Sequence, residues 1–437
     1  MKKFFKTIQN IFSIEDLRIR ILNTLGFLIV FRLGSFIVLP GIDPDKLGDA
    51  STGGIFGLLD TFLGGSFSRA SIFALGIMPY ISASIVIQLL TVAVPYFQKM
   101  QKEGESGRKR LTQITRVLTI VITAFQAWGY LSATIPDEAI LYSGIFFHVS
   151  SVIILASGTM FCMWLGEKIT DKGIGNGISM LIMIGIISRL PSSLIAEMTT
   201  RGMSGALAFV LEIVALFFVV MAVVALTQAT RRIPIQYAKQ VVGNKMYGGK
   251  RDYIPLKVNA SGVMPIIFAQ ALMFIPPLIA GIWRESEVGN YIGSTFSNPF
   301  SWQYNLLFAI LILLFTFFYT AITVNPNDIA DNLKRNGGFI PGIKPGKQTS
   351  EFIDQVLTKI TLPGSIFLAI VAILPAFAQL AGVTSSFAQF YGGTSLLIMV
   401  GVILDTLQQI ESYLLMRHYE GMMKSGKVKG RSQIAAA

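Results

Sequence analysis

Ten hydrophobic segments recur along the chain, separated by polar stretches rich in lysine and arginine. They lie at about 21–39, 70–94, 117–135, 145–165, 174–195, 205–226, 261–282, 304–324, 362–381 and 394–416. Most approach the roughly twenty apolar residues with which an α-helix crosses the hydrocarbon layer of a bilayer. The pattern therefore predicts an all-α integral membrane protein with ten transmembrane helices.

The ten spans divide evenly into a first half at 21–195 and a second half at 196–416. Five spans followed by five spans is typical of membrane proteins built from inverted repeats, so two pseudo-symmetric halves are expected. Residues 1–20 are predicted to form a basic amphipathic segment against the lipid headgroups, and 417–437 a polar tail. Two loops, 227–260 and 325–361, are far longer than the other loops on their side.

The positive charge is distributed unevenly across the predicted membrane. Thirty of the 36 lysines and arginines lie at the two termini and in every second loop. The opposite side carries five, counting Arg189 near the outer end of the fifth span, and Arg32 falls inside the first span. Basic loops stay on the cytoplasmic side, so both termini are predicted to be cytoplasmic. Most of the net charge of +12 is then a topological bias rather than a sign of nucleic-acid binding.

One apolar segment on the outer side is too short to span. Residues 55–67 are flanked by glycines and would extend only about 20 Å as a helix. Such a half-helix must lie in the membrane interface or enter the protein. Both possibilities remain open from composition alone; we call 55–67 the re-entrant segment.

Proline and glycine interrupt several of the spans. Pro79 and Pro265 are predicted to break the hydrogen-bond ladders of the second and seventh spans, and the fifth span opens with GIGNGIS at 173–179. Broken helices suit spans that move or line a cavity, where freed backbone groups meet protein or water.

Residues suited to catalysis or metal binding are scarce. The chain has two histidines and a single cysteine, Cys162, and it contains no HExxH motif. The glycines at 173–177 lack the preceding strand and the spacing of a phosphate-binding loop. We therefore predict that the protein is not an enzyme and uses no metal or cofactor, and that Cys162 is a buried apolar residue.

Two charges lie deep in predicted spans. Arg32 and Asp405 each fall about eleven residues into their helix, where a charge needs a partner or water. They could pair structurally or contact separate polar groups. An inverted-repeat solute transporter, the alternative function, would use them as a polar binding site near the midplane.

Several strings decide between these functions. They are FALGIMPYISASIVIQLL (73–90), KEGESGRKR (102–110), MWLGEKITDKGIGNGIS (163–179), IPLKVNASGVMPIIFA (254–269), NPNDIADNLKRNGGFIPGIKPG (325–346) and YGGTSLLI (391–398). In order and spacing they closely resemble the bacterial SecY family, the channel subunits of Sec protein translocases. The resemblance runs from about residue 15 to about residue 430. It implies a channel in the bacterial inner membrane that passes unfolded polypeptides and releases apolar segments sideways into lipid, through a lateral gate of spans two, three, seven and eight.

The resemblance also implies a pore ring and a plug. The ring would consist of Ile77, Ile81, Ile178, Ile182, Ile267 and Ile398. The re-entrant segment would be the plug, represented by Phe56, Leu58, Leu59, Phe62 and Leu63. Ile77 and Ile81 of the second span are four residues apart, as are Ile178 and Ile182 of the fifth span. Each pair is therefore expected to share one face of its helix.

Partners follow from the same resemblance. It implies SecE-type and SecG-type subunits, the SecA motor ATPase, the ribosome with its RNA, client polypeptides with their signal sequences, and membrane lipid. The side chains implied in motor or ribosome binding are Arg231, Arg232, Lys245, Lys250, Arg251, Lys334, Arg335 and Lys344. Lys344 stands where the family usually has arginine, so a two-pronged contact is lost there while the charge remains. These residues form two basic patches, one in the loop 227–260 and one in the loop 325–361. Part of the charge in both patches is explained by the general excess of basic residues in cytoplasmic loops.

Overall fold

The computed structural model describes residues 14–47, 57, 60–141, 144–202, 205–237, 240–242, 245–247, 251–273 and 298–424, with isolated positions between 274 and 297. It divides into two compact units. Unit 1 is Met1–Pro191 with Val402–Ala437, and unit 2 is Ser192–Gly401. The predicted amphipathic segment lies mostly outside the described residues, and so does the predicted tail from residue 425 onwards.

Helices account for most of the described chain. In the first part they are α1 (Glu15–Gly34), α2 (Met78–Ala93), α3 (Pro95–Lys102), α4 (Glu105–Thr134), α5 (Ile145–Lys172), α6 (Gly177–Arg201) and α7 (Ala206–Gln228). After four strands, described below, come α8 (Met264–Leu272), α9 (Trp302–Thr323), α10 (Pro326–Arg335), α11 (Lys347–Leu380), α12 (Ser385–Ala388) and α13 (Gly393–Lys424). Each of the ten predicted spans overlaps one of these helices.

Seven of the described helices are long and apolar enough to cross a membrane. An eighth span results if α2 and α3, which meet at a 99° bend, are counted together. The remaining two predicted spans correspond to α1 and to α8, and the residues that follow α8 are only sparsely described.

Two predicted helix breaks are wrong. Pro79 and Pro265 each lie in the first turn of a helix, because α2 begins at Met78 and α8 at Met264. A proline is well accommodated there, since the first-turn N–H groups have no partner within the helix. The helix of the fifth predicted span, α6, continues through Pro191 to Arg201, beyond the predicted end of that span at about residue 195.

The glycine-rich start of α6 has a local explanation. The Asn176 side chain accepts hydrogen bonds from the backbone N–H groups of Ile178 (3.1 Å) and Ser179 (3.3 Å), which caps the helix. A Cβ atom at Gly177 would lie 1.9 Å from the carbonyl oxygen of Gly166 in α5. Glycine is therefore required where these two helices approach.

The two long polar loops contain β-strands that pair with one another in a small sheet. Its strands are β1 (Thr230–Tyr237), β4 (Arg251–Lys257) and β5 (Gly338–Phe339), in the antiparallel order β4-β1-β5. A separate hairpin pairs β2 (Gln240–Val242) with β3 (Lys245–Tyr247). The sheet packs with α10 and α11 around a core of Ile233, Ile235, Leu256, Leu333, Ile340, Ile353 and Leu357.

Candidate pore segment and basic surface

The re-entrant segment is described from Asp60 onwards, with Gly57 before it, and is buried within unit 1. Asp60, Phe62 and Leu63 are 4%, 7% and 5% exposed. The helix ends at Phe62 and turns follow from Leu63, so the predicted helix over 55–67 is too long at its C-terminal end. Phe56, Leu58 and Leu59 lie outside the described residues.

A tight glycine turn follows the helical part. Gly64 and Gly65 have φ values of +63° and +87°, which side-chain-bearing residues rarely adopt. The turn closes with a hydrogen bond from the Gly65 N–H to the Asp60 carbonyl oxygen, at 2.9 Å. Its own carbonyl oxygens then point to the neighbouring basic side chains.

Three arginines surround this turn. Arg32 of α1 donates to the Gly64 carbonyl at 3.2 Å, and Arg69 donates to the carbonyls of Gly64 (2.9 Å) and Gly65 (2.8 Å). Arg189 of α6 forms an ion pair with the Asp60 carboxylate and donates to the Ser68 hydroxyl at 3.3 Å. Burial lowers the pKa of the Arg69 guanidinium from its ordinary value.

The Asp60 side chain is 6% exposed and also accepts a hydrogen bond from the Ser68 N–H at 2.9 Å. The carboxylate is thereby held by both a charge and a backbone donor. Because a buried carboxylate needs such partners, its position in the turn is well defined.

On its apolar side, the segment meets two of the predicted ring residues. A small cavity in unit 1 is lined by Phe31, Phe62, Leu63, Ile77, Met78, Leu181 and Ile182. Ile77 and Ile182 are 4% and 8% exposed. Two predicted plug residues and two predicted ring residues therefore share one apolar cavity.

The other ring residues lie in two places. In unit 1, Ile81 is buried and Ile178 packs against Gly166. In unit 2, Ile398 is 3% exposed in α13, and Ile267 is half-buried in α8. The structure thus joins Ile77 and Ile182 directly to the re-entrant segment and describes the others within their own helices.

Close packing against α6 also fixes the segment. A Cβ atom at Gly185 would lie 2.2 Å from the Phe62 carbonyl oxygen, so only glycine fits at this crossing. Beside it, the Tyr130 hydroxyl donates to the Phe67 carbonyl at 2.7 Å.

The midplane site expected of a transporter is not formed by Arg32 and Asp405. Arg32 contacts the backbone of Gly64, whereas Asp405 is exposed on α13. In the part of the chain that the structure describes, no ion pair joins them, and no group of three or more potential metal ligands occurs.

The predicted basic residues lie on the sheet of unit 2 and on its flanking helix and turn. Arg231, Arg232 and Arg251 are exposed on β1 and β4; Lys334 and Arg335 are exposed at the end of α10. Lys344 is exposed in the turn before α11, and its carbonyl accepts from the Thr349 hydroxyl at 2.9 Å. Lys245 belongs to β3, but its side chain lies outside the described part, as does all of Lys250.

Strand pairing brings the two predicted patches onto one structure. In β1, Gln236 and Tyr237 pair with Phe339 and Gly338 of β5, while Ile233 pairs with Ile254 of β4. Along β1, Arg232 and Pro234 are exposed and alternate with Ile233 and Ile235, which are buried. This alternation is typical of a strand with one buried face.

The sequence reasoning missed Asp60, Arg69 and Arg189 as site residues. A signal was present, since Asp60 is the one charge within the apolar segment 55–67 and arginine is scarce on the predicted outer side. A second set of charges was also missed. In unit 2, Arg201 pairs with both Glu197 (3.0 Å) and Glu212 (2.5 Å), and the Glu197 side chain is completely buried.

Comparisons with known proteins agree on one family. The SecY family model matches residues 71–407. The chain is 44% identical to the protein translocase subunit SecY of Halalkalibacterium halodurans, over 96% of this chain and 100% of that protein. It is 40% identical to the subunit of the same name from Thermotoga maritima, over 98% and 100%.

Solved structures show the same fold. A protein-conducting channel matches with a TM-score of 0.65 and 17% identity, over 90% of this chain and 92% of that chain. Sec61 in the canine ribosome-channel complex from the endoplasmic reticulum matches with a TM-score of 0.61 and 16% identity, over the same shares. The predicted fold, a helical membrane channel, is confirmed.

Proposed function

The chain belongs to the SecY family of protein-conducting channel subunits, and we propose that it carries unfolded polypeptides across the bacterial cytoplasmic membrane and releases apolar segments sideways into lipid. It is a multi-pass membrane protein and a non-enzymatic subunit of a protein translocase. The observation that supports the proposal most directly is the apolar cavity shared by Phe62, Leu63, Ile77 and Ile182.

We propose that the re-entrant segment is the plug of the resting channel and that Ile77, Ile81, Ile178, Ile182, Ile267 and Ile398 are its pore ring. An apolar constriction sheds water and so blocks ions, yet it yields around a polypeptide without selecting a sequence. The apolar residues of the segment pack against isoleucines of unit 1, and arginines bind its polar turn. Such non-covalent contacts can break and form again, so they suit a reversible closure.

The domain organisation that we propose has halves at 21–195 and 196–416, flanked by cytoplasmic segments at 1–20 and 417–437. Both termini would be cytoplasmic because the basic loops are. The long loops 227–260 and 325–361 would then present the basic sheet to cytoplasmic partners.

For the partners, we propose SecE-type and SecG-type subunits in the membrane, and both the SecA motor and the ribosome on the cytoplasmic side. Exposed arginines and lysines on a folded sheet suit both an acidic protein surface and RNA phosphates. The solved Sec61 relative was seen in a ribosome-channel complex, which supports the ribosome as one candidate.

The test is a reconstitution of the complex in sealed vesicles. With the motor and ATP, an unfolded client should become protected from external protease. Replacing Ile81, Ile182 and Ile398 together with glycine should make resting vesicles leak ions, because the apolar constriction is opened. The matched leucine triple variant should remain tight. Failure to protect any client would contradict the channel function, and a tight glycine variant would contradict the ring.

A further inference from the structure

We infer that Asp60 and Arg189 form a latch that holds the re-entrant segment in its resting position, and that separating this pair is a step in opening the channel. The inference rests on the proposed function of that segment. It assigns positioning roles to two residues that belong to neither the ring nor the apolar face of the plug.

The latch joins the segment to the helix beside it. Asp60 lies in the segment, whereas Arg189 lies in α6. Arg189 also donates to the Ser68 hydroxyl, so one guanidinium contacts both sides of the glycine turn. Arg32 adds a contact from α1 through the Gly64 carbonyl.

Arg69 has a different role. Its hydrogen bonds go to Gly64 and Gly65, only five and four residues earlier in the chain. These bonds stabilise the turn internally and would move with it. Arg189 and Arg32 therefore fix the position of the turn, and Arg69 fixes its shape.

An ion pair is well suited to a closure that must open repeatedly. Apolar contacts are non-directional and allow sliding, whereas a carboxylate–guanidinium pair requires a defined geometry. When the segment leaves its resting position and water enters, the Asp60 carboxylate and the Arg189 guanidinium are both hydrated. Separating the two charges then has only a modest net cost in free energy. Removing only one partner is different, because the other charge then stays buried in the resting state.

The charge balance around the turn strengthens this asymmetry. The guanidinium groups of Arg32, Arg69 and Arg189 all reach the turn at Gly64 and Gly65, so three positive charges are gathered around it. Asp60 supplies a negative charge among them and is itself nearly inaccessible to solvent. Replacing Asp60 by its neutral isostere should therefore push the segment outward, and neutralising Arg189 as well should partly restore closure.

The experiment uses the complete complex in vesicles and measures ion conductance at rest. Asp60→Asn and Arg189→Gln should each raise the conductance by about tenfold or more, since each leaves the remaining charge without the opposite charge that it pairs with. The double variant should leak less than Asp60→Asn, and the charge exchange Asp60→Arg with Arg189→Asp should restore much of the seal.

The matched control is another arginine–carboxylate pair of unit 1. Arg116 of α4 donates to both carboxylate oxygens of Glu167 in α5, at 2.8 and 2.7 Å. No described contact of that pair involves the re-entrant segment. Glu167→Gln should therefore keep the conductance within about twofold of the parent even if it lowers stability.

A second measurement separates closure from folding. Asp60→Asn should accept a client with a defective signal sequence that the parent rejects, and should export a normal client as the parent does. A tight Asp60→Asn variant, or a Glu167→Gln variant that leaks equally, would overturn the latch while leaving the channel function intact. If the parent complex exports no client, the proposed function fails independently of the latch.

Discussion

Two regions of this protein use basic side chains in opposite ways. Around the re-entrant turn of unit 1, Arg32, Arg69 and Arg189 are partly buried and donate to backbone carbonyls, a hydroxyl and a carboxylate. On the sheet of unit 2, Arg231 and Arg232 are exposed, and among the described residues they form no ion pair.

The difference shows how surroundings decide the use of a guanidinium group. A buried guanidinium is costly unless all its donors are used, so it fixes the geometry of whatever it contacts. An exposed one contributes little to stability and remains available to a partner. Arginine content alone therefore indicates neither role.

The largest effect should come from disturbing the buried region. Gly185→Ala places a Cβ atom 2.2 Å from the Phe62 carbonyl, so the re-entrant segment or α6 must shift. We expect a loss of about 3 kcal/mol of unfolding free energy, the upper range for overpacking. Thermal unfolding of the purified complex measures it.

The matched control for this variant is Gly129→Ala in α4, where a Cβ atom would meet nothing within 4 Å. Alanine there should be neutral or slightly stabilising, since glycine is the weaker helix former. Equal melting temperatures for the two variants would show that the crossing at Gly185 is not tightly packed.

A smaller effect, confined to partner binding, should come from Lys344. Its exposed side chain lies between Pro341-Gly342 and Pro345-Gly346. Lys344→Glu should weaken docking of the motor by about 2 kcal/mol or more and abolish motor-driven export. Expression, orientation and subunit association should stay normal, because one inward charge does not determine topology.

Lys344→Arg provides the comparison for that result. It should export as well as the parent or better, since arginine keeps the charge and offers a two-pronged donor. Parental export by Lys344→Glu would place the motor contact elsewhere on the basic surface.

The smallest effect on stability should come from the sheet. Arg232→Ala removes an exposed side chain and should change the unfolding free energy by less than about 0.5 kcal/mol. If the sheet binds ribosomal RNA, the slope of log affinity against log salt should fall by about 0.7–0.9. Ribosome binding at several salt concentrations measures this; an unchanged slope would show that Arg232 contacts no phosphate.

The spans could be predicted because each depends on local composition. A run of about twenty apolar residues must become a helix in lipid, whatever its neighbours do. Helix starts were harder. Pro79 and Pro265 were assigned to span interiors because an apolar run does not reveal which of its residues precede the first turn.

The contacts that form the site could not be predicted from composition. The Asp60–Arg189 pair and the pairing of Tyr237 with Gly338 join residues far apart in the sequence. Their formation depends on tertiary packing, which local periodicity does not encode. Glu212 illustrates the same limit, because its ion pair joins α7 to Arg201 at the end of α6 and depends on how these helices meet.

The single cysteine has a practical consequence. Cys162 lies in α5 and is completely buried, so reagents that attack thiols from water do not reach it in the folded protein. The protein therefore has no accessible native thiol among its described residues that would compete in site-directed labelling. A fluorophore or crosslinker attached to one introduced cysteine on the surface would report on that position alone, without first removing a native thiol.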